Sequence, residues 1–312
     1  MKTSILFLLL LLLGCSKPNR FEMHYVSELH LTDLILADVY THGDQINSPD
    51  HHFNGLVVNR FGETYTFDRL SASLLQINSE GEIIGKNGSE GRGPNEFDLN
   101  ISGVGVEVCG DDYIIAYDMN SPYIQKYDRS LNFLGSKNVN GTIWWISCNN
   151  YGDYLIHYRN SNTTVVYNSD GYVLSAFTID SLASDRFAAF KQFTLTEQRI
   201  FVSYLTKNVL LVLDREGKIL TKTTFPAKTI DENKPATVQT YRSFWYNNDV
   251  YILTLMDGFN ALHVFDSDGT YKVTHKMDDE IKNIFKWSNE YIVTLEKDNS
   301  ILRKSKIMEA AF

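Results

Sequence analysis

The sequence predicts an all-β protein built as a six-bladed β-propeller, with an N-terminal strand closing the last blade. Three observations carry this expectation: a strand-favouring composition, a unit that recurs about every 46 residues, and a spare N-terminal segment facing an incomplete last unit. The 312 residues include 18 Tyr, 18 Phe and 4 Trp but only 6 Pro, and aromatic and β-branched side chains suit a pleated, half-buried surface. Hydrophobic content of 43% and charged content of 21% are those of a globular chain.

Each unit reads as a strand, a polar turn, a second strand ending in Asp or Asn, a tight turn with Gly, and a third strand. Copies begin at Tyr65, Tyr113, Tyr154, Ile200, Val250 and Tyr291, stepping by 48, 41, 46, 50 and 41 residues. That range fits one four-stranded propeller blade. The turns Asn78-Ser-Glu-Gly81, Asn168-Ser-Asp-Gly171, Asp214-Arg-Glu-Gly217 and Asp266-Ser-Asp-Gly269 put Gly where a hairpin needs positive φ and an Asx side chain where it can cap the turn. Apolar stretches ahead of the markers, Val104 to Val108, Ile143 to Ile146, Phe193 to Leu195 and Ile284 to Trp287, are the expected innermost strands. The sixth unit stops one strand short, and the segment from Tyr25 to Leu36 is available to complete it. Such closure removes both free sheet edges.

Met1-Lys2 and the apolar run Ile5 to Leu13 precede Gly14-Cys15. Nine apolar residues are too few to span a hydrocarbon core of about 30 Å, so residues 1–14 read as a cleaved signal peptide. Leu12-Leu-Gly-Cys15 resembles the lipobox of bacterial lipoproteins, which implies lipid on Cys15, a tether over 15–22 and a body over 23–312. Ser16 follows the cysteine and residues 16–20 are not acidic, which favours the outer membrane and its periplasmic face. Cys109 and Cys148 occupy similar repeat positions. An oxidising compartment permits pairing, but similar positions in adjacent blades need not meet disulfide geometry, and two buried free thiols are expected.

Between the first two units runs Gly88-Ser-Glu-Gly91-Arg92-Gly93-Pro94-Asn-Glu96-Phe97. This stretch resembles the G-x-G-P-x-E-F/Y signature of six-bladed propeller lipoproteins of Bacteroidota-type bacteria, which are related in architecture to NHL-repeat propellers. The resemblance implies the fold and brings little functional content. Two readings of the motif compete. In one, the glycines and Pro94 shape a loop, Phe97 plugs between blades and Glu96 caps loop amides or pairs with Arg92. In the other, Arg92 and Glu96 offer charges to a ligand on the loop face.

Chemistry is sparse. His42, His51 and His52 lie among Asp44 and Asp50 without metal-ligand spacing, and no nucleophile elbow, P-loop or dinucleotide fingerprint occurs. The strand-ending Asp residues read as turn caps, since Asp-x-Asp-x-Asp spacing is absent. Trp144-Trp145 and Phe244-Trp245-Tyr246 fall at inner strands, where they serve as inter-blade core or as an aromatic platform for a sugar or peptide. Net charge of −9 argues against nucleic acid. The favoured expectation is a membrane-anchored binding or scaffold module recognising a glycan, peptide or partner protein, through Arg92, Glu96, Trp144, Trp145 and Trp245. The alternative is a metal-dependent propeller hydrolase or lyase, with Ca²⁺ in the central channel; no other cofactor, metal ligand or catalytic residue is predicted.

Overall fold

A computed structural model of the chain describes residues 23–30 and most of 57–307. Within the latter, single positions and the stretches 69–70, 79–82, 99–103, 180–190, 226–237, 257–258, 277–280, 286–290 and 297–300 are left out. For the sixth sheet, and for parts of the fifth, only the backbone is described. Cys15, the His42 to His52 segment, the turn at Gly81 and the part of the spare segment beyond His30 lie outside the described residues.

The chain is an all-β propeller. Its first strand, β1 (Met23–His30), waits for the last sheet. The first sheet is β2 (Val57–Val58), β3 (Thr64–Asp68), β4 (Ser73–Ile77) and β5 (Ile83–Asn87), and a short parallel pair follows, β6 (Ser89–Glu90) and β7 (Glu96–Phe97). The second is β8 (Val104–Cys109), β9 (Tyr113–Asp118), β10 (Tyr123–Asp128) and β11 (Phe133–Asn138). The third is β12 (Ile143–Cys148), β13 (Tyr154–Tyr158), β14 (Thr163–Tyr167) and β15 (Val173–Thr178). The fourth is β16 (Lys191–Leu195), β17 (Ile200–Tyr204), β18 (Lys207–Leu213) and β19 (Ile219–Thr224). The fifth is β20 (Val238–Tyr246), β21 (Asp249–Met256), β22 (Phe259–Asp266) and β23 (Tyr271–Lys276). The sixth is β24 (Ile281–Phe285), β25 (Tyr291–Glu296) and β26 (Ile301–Ile307), completed by β1 in antiparallel register, Met23 opposite Ile307 and His30 opposite Ile301.

All strands within these six sheets pair antiparallel, each with its chain neighbours except β1, which pairs with β26, and each innermost strand from β8 to β24 lies beside the one before it. Two faces follow. First-to-second and third-to-fourth turns emerge on one, the hairpin face. Second-to-third turns and the connections between sheets emerge on the other, the connection face.

The core lies between sheets. The second strand of a sheet is sandwiched, so β9, β13 and β17 are buried along their whole length rather than alternating. Tyr113, Ile115 and Tyr117 of β9 pack towards the third sheet with Ile146 and Ile156, while Ile114 and Ala116 pack towards the first with Tyr65 and Leu74. A strand covered on both faces reads as a continuous apolar run.

The third-to-fourth turns form as their sequences require. The Oδ1 atoms of Asn168, Asp214 and Asp266 accept the amides four residues on, all at 2.8 Å. Gly217 sits at φ +89°, and a Cβ there would lie 2.1 Å from the Phe177 ring of the previous sheet, so both backbone and neighbour demand glycine. The second sheet lacks that glycine, and Leu131 takes φ +60° in its place.

One expectation is overturned. Cys109 and Cys148 are joined in a disulfide, their Cα atoms 4.9 Å apart. Each is the last residue of an innermost strand, and β8 lies beside β12, so equivalence in the repeat does place the two backbones within bonding range.

Candidate functional site

Three places could hold a site: the central channel, the loop carrying the glycine-rich motif, and the tryptophans of the inner strands. The channel between β8, β12, β16 and β20 contains a cavity of about 40 Å³ lined by Glu107, Trp145, Ser147, Phe193, Thr194, Ser243 and Trp245, among others. One water needs about 10–15 Å³ of such space, so the cavity suits a few waters rather than a sugar ring. Its hydroxyls are committed to joining strands: Ser147 Oγ accepts from the Leu195 amide at 3.0 Å, and Thr194 Oγ1 meets Ser243 Oγ at 2.8 Å. Among the described residues no three His, Cys, Asp or Glu side chains gather to hold a metal ion.

The motif loop folds on itself. Amides of Ser89 and Gly91 donate to the carbonyls of Asn95 and Phe97, and the Gly93 amide donates to Glu96 Oε2 at 2.7 Å. Gln125 of β10 fixes it from the second sheet, its Oε1 accepting from the Asn95 amide at 3.0 Å. The buried Phe97 ring stands edge-on to Phe67, 4.9 Å between centroids, wedged between the first two sheets. Glu96 therefore faces inward to its own loop. Arg92 pairs not with Glu96 but with Asp98, Nε to Oδ2 at 2.7 Å, and 83% of its side chain remains exposed. The guanidinium stands on the connection face, since the Asp98 amide donates to Asp118 at the end of β9.

The tryptophans divide. Trp145 Nε1 donates to the Phe193 carbonyl at 2.9 Å and the ring packs into the core between third and fourth sheets. Trp245 stacks on Phe201, 5.6 Å between centroids, in the next core along. Trp144 differs. The β12–β13 register shifts between Ile143 and Trp145, so Trp144 sits at a bulge, a device that re-aims a side chain. It is half-buried near the connection face, with the Arg159 guanidinium 5.3 Å from its ring.

Sequence reasoning missed a set of clasps on the hairpin face. Asn59 and Asn149 each accept two amides of their own first turn, and each turn ends in an acid, Glu63 or Asp153. Those acids grip an arginine in the outer turn of the next sheet: Glu63 with Arg129 at 2.9 Å, Asp153 with Arg215 at 2.8 Å. Burial alone would raise the Glu63 carboxyl, but hydrogen bonds from Asn59, Arg129 and Tyr65 hold it below the usual carboxylate range. The signal was present in the paired Asn-x-x-x-acid and Asp-Arg turn sequences.

Two histidines are buried deep in the sheets. His157, hydrogen-bonded to Thr164 Oγ1 at 3.0 Å, is pushed down to about 3 by burial and by the Lys191 charge. His263, between Thr254 and Thr274, is pushed down to about 4 by burial. Both are neutral packing groups at neutral pH, not poised acids or bases.

No protein-family model matches the chain, and no curated sequence does. Solved structures do. A candidate exported protein of Bacteroides fragilis is 14% identical over 92% of this chain and 95% of its own, with a TM-score of 0.59. A DUF4221 family member from Bacteroides vulgatus is 11% identical over 93% and 98%, at 0.57. Virginiamycin B lyase from Staphylococcus aureus, a propeller, is 12% identical over 92% and 100%, at 0.54. At such identities the likeness carries the fold and nothing of the chemistry.

Proposed function

We propose that the protein is a six-bladed, lipid-anchored binding propeller of the NHL-like lipoprotein kind. It is held by acyl chains on Cys15 at the periplasmic face of the outer membrane and recognises a glycan, peptide or partner protein on its connection face. The tether spans 15–22 and the body 23–312. Trp144 carries the reading, a half-buried ring at a bulge near the connection face with Arg159 beside it. The solvent-facing guanidinium of Arg92 on the same face supplies a charge for an anionic or hydroxyl-rich partner. The disulfide between Cys109 and Cys148 supports an oxidising compartment, and a candidate exported protein among the structural relatives points the same way.

Trp145, Trp245 and Glu96 serve this reading as supports, through the contacts that tie them to neighbouring strands and to their own loop. The test is a screen of the purified body on glycan and peptide arrays, repeated with Trp144→Ala and Arg92→Ala. Lost binding at unchanged melting temperature supports the reading; binding that survives both changes removes this face from it. Stoichiometric Ca²⁺ or Zn²⁺ in the purified chain would reverse the order in favour of a metal-dependent hydrolase or lyase.

A further inference from the structure

The outermost strands carry a feature that neither the fold nor the connection face uses. In each of the first four sheets the outer strand begins with a register shift directly after its hairpin turn. Ile77 pairs with Ile83 and Gln76 with Gly85, leaving Ile84 at the bulge. The same step puts Leu134, Leu174 and Leu220 at the bulges of β11, β15 and β19. All four are aliphatic and 43–56% exposed. The fifth sheet bulges at the same place but presents Lys272, paired with Asp249 at 2.6 Å. Lysine is the usual protection for an exposed edge strand. Four aliphatic residues where the fifth sheet has a lysine mark a surface that is covered in use.

The chain enters on this same side. β26 runs towards the hairpin face, as every third strand does, and Met23 lies opposite its last residue, Ile307. The strand joined to the tether therefore starts at the hairpin-face rim. Residues 15–22 can reach at most about 28 Å when fully extended, so acyl chains on Cys15 hold this rim close to the bilayer. Tyr151 and Tyr172, 73% and 71% exposed in turns of the hairpin face, are of the type that settles at a membrane–water interface.

Resting on the lipid-anchor reading above, we infer that Ile84, Leu134, Leu174 and Leu220 form a rim that seats the hairpin face on the phospholipid surface. The connection face is then turned towards the periplasm. A bilayer is the fitting occupant because the four residues recur at one level along an arc, giving an edge rather than a pocket. The net charge of −9 offers no attraction to anionic headgroups, so seating is apolar and insensitive to salt.

The test uses the full mature chain, its acyl groups verified by mass spectrometry. It is reconstituted into phosphatidylcholine vesicles whose acyl chains carry bromine, a short-range quencher of indole emission. Leu174→Trp should add emission that bromine quenches, equally at low and high salt. Thr178→Trp, at the exposed far end of the same strand, should add emission that is not quenched. Equal quenching at both positions, or none at either in a chain that carries its acyl groups, overturns the rim while leaving the anchor standing. Shielding of the Leu174→Trp emission in native envelopes but not in pure-lipid vesicles would replace the bilayer by a protein partner. Absence of acyl groups on Cys15 would sink the anchor itself, and the rim with it.

Discussion

Removing the Cys109–Cys148 crosslink should lower stability by an amount its place in the chain sets. The bond closes a loop spanning 39 residues, and chain-entropy arithmetic for such a loop gives about 4 kcal/mol at 25 °C. Unfolding entropy near 2.1 cal/mol/K per residue, over a chain of this length, makes that about 6 °C in melting temperature. Cys109 is fully buried among Tyr113, Ile146 and Tyr154, so substitution would confound the crosslink with lost packing. Reduction of the wild type is the cleaner perturbation, because it removes the bond and keeps both sulfurs. Calorimetric melting of oxidised and reduced protein should differ by about 6 °C, with Cys109→Ala/Cys148→Ala at or below the reduced value and indifferent to reductant. Identical melting of the oxidised and reduced wild type, or two free thiols in chain recovered from the envelope, would refute the reasoning.

Acid should unfold the protein through its buried histidines. Unfolded His takes up a proton near 6.5, whereas folded His157 and His263 resist until about 3 and 4. Their contribution is thus complete above pH 6.5 and is lost as pH falls, at up to roughly 2.7 kcal/mol per pH unit between 6 and 4. His263→Asn should halve that slope in denaturant titrations at stepped pH. Phe97→Ala should cost about 3–5 kcal/mol by emptying the wedge between the first two sheets, read as a fall in urea midpoint. Arg215→Leu, which removes donors to Asp153 and to the Glu197 carbonyl, should cost about 1.5–3 kcal/mol, while Arg92→Leu at its exposed site should leave the midpoint unmoved.

Much of the frame was legible because it is written in local chemistry. Asn168, Asp214 and Asp266 and their following glycines specify tight turns by conformational preference alone, so the repeat could be counted before any contact was known. Contacts between sheets were not legible, since they depend on which residues 40 to 60 positions apart come to face each other. Sequence position could not pair Cys109 with Cys148, nor show that Arg92 prefers Asp98 to Glu96. The bulges sit between these cases. Ile83-Ile84, Val173-Leu174 and Ile219-Leu220 interrupt alternation directly after each turn, and that interruption is the visible trace of the shifted register. For Trp144 and Trp145 the sequence left core and platform open, and the register shift between Ile143 and Trp145 is what separates their surroundings.

The pairing of β1 with β26 also sets a schedule. A strand from residues 23–30 meets its partner only when residues 301–307 have arrived, close to the full length of the chain later. Pairing of such long range is slow to form, so the first strand made spends nearly the whole of synthesis without its mate. Loss of a few C-terminal residues would then do more than shorten an edge, because it would leave the N-terminal strand without the partner that buckles it into the last sheet.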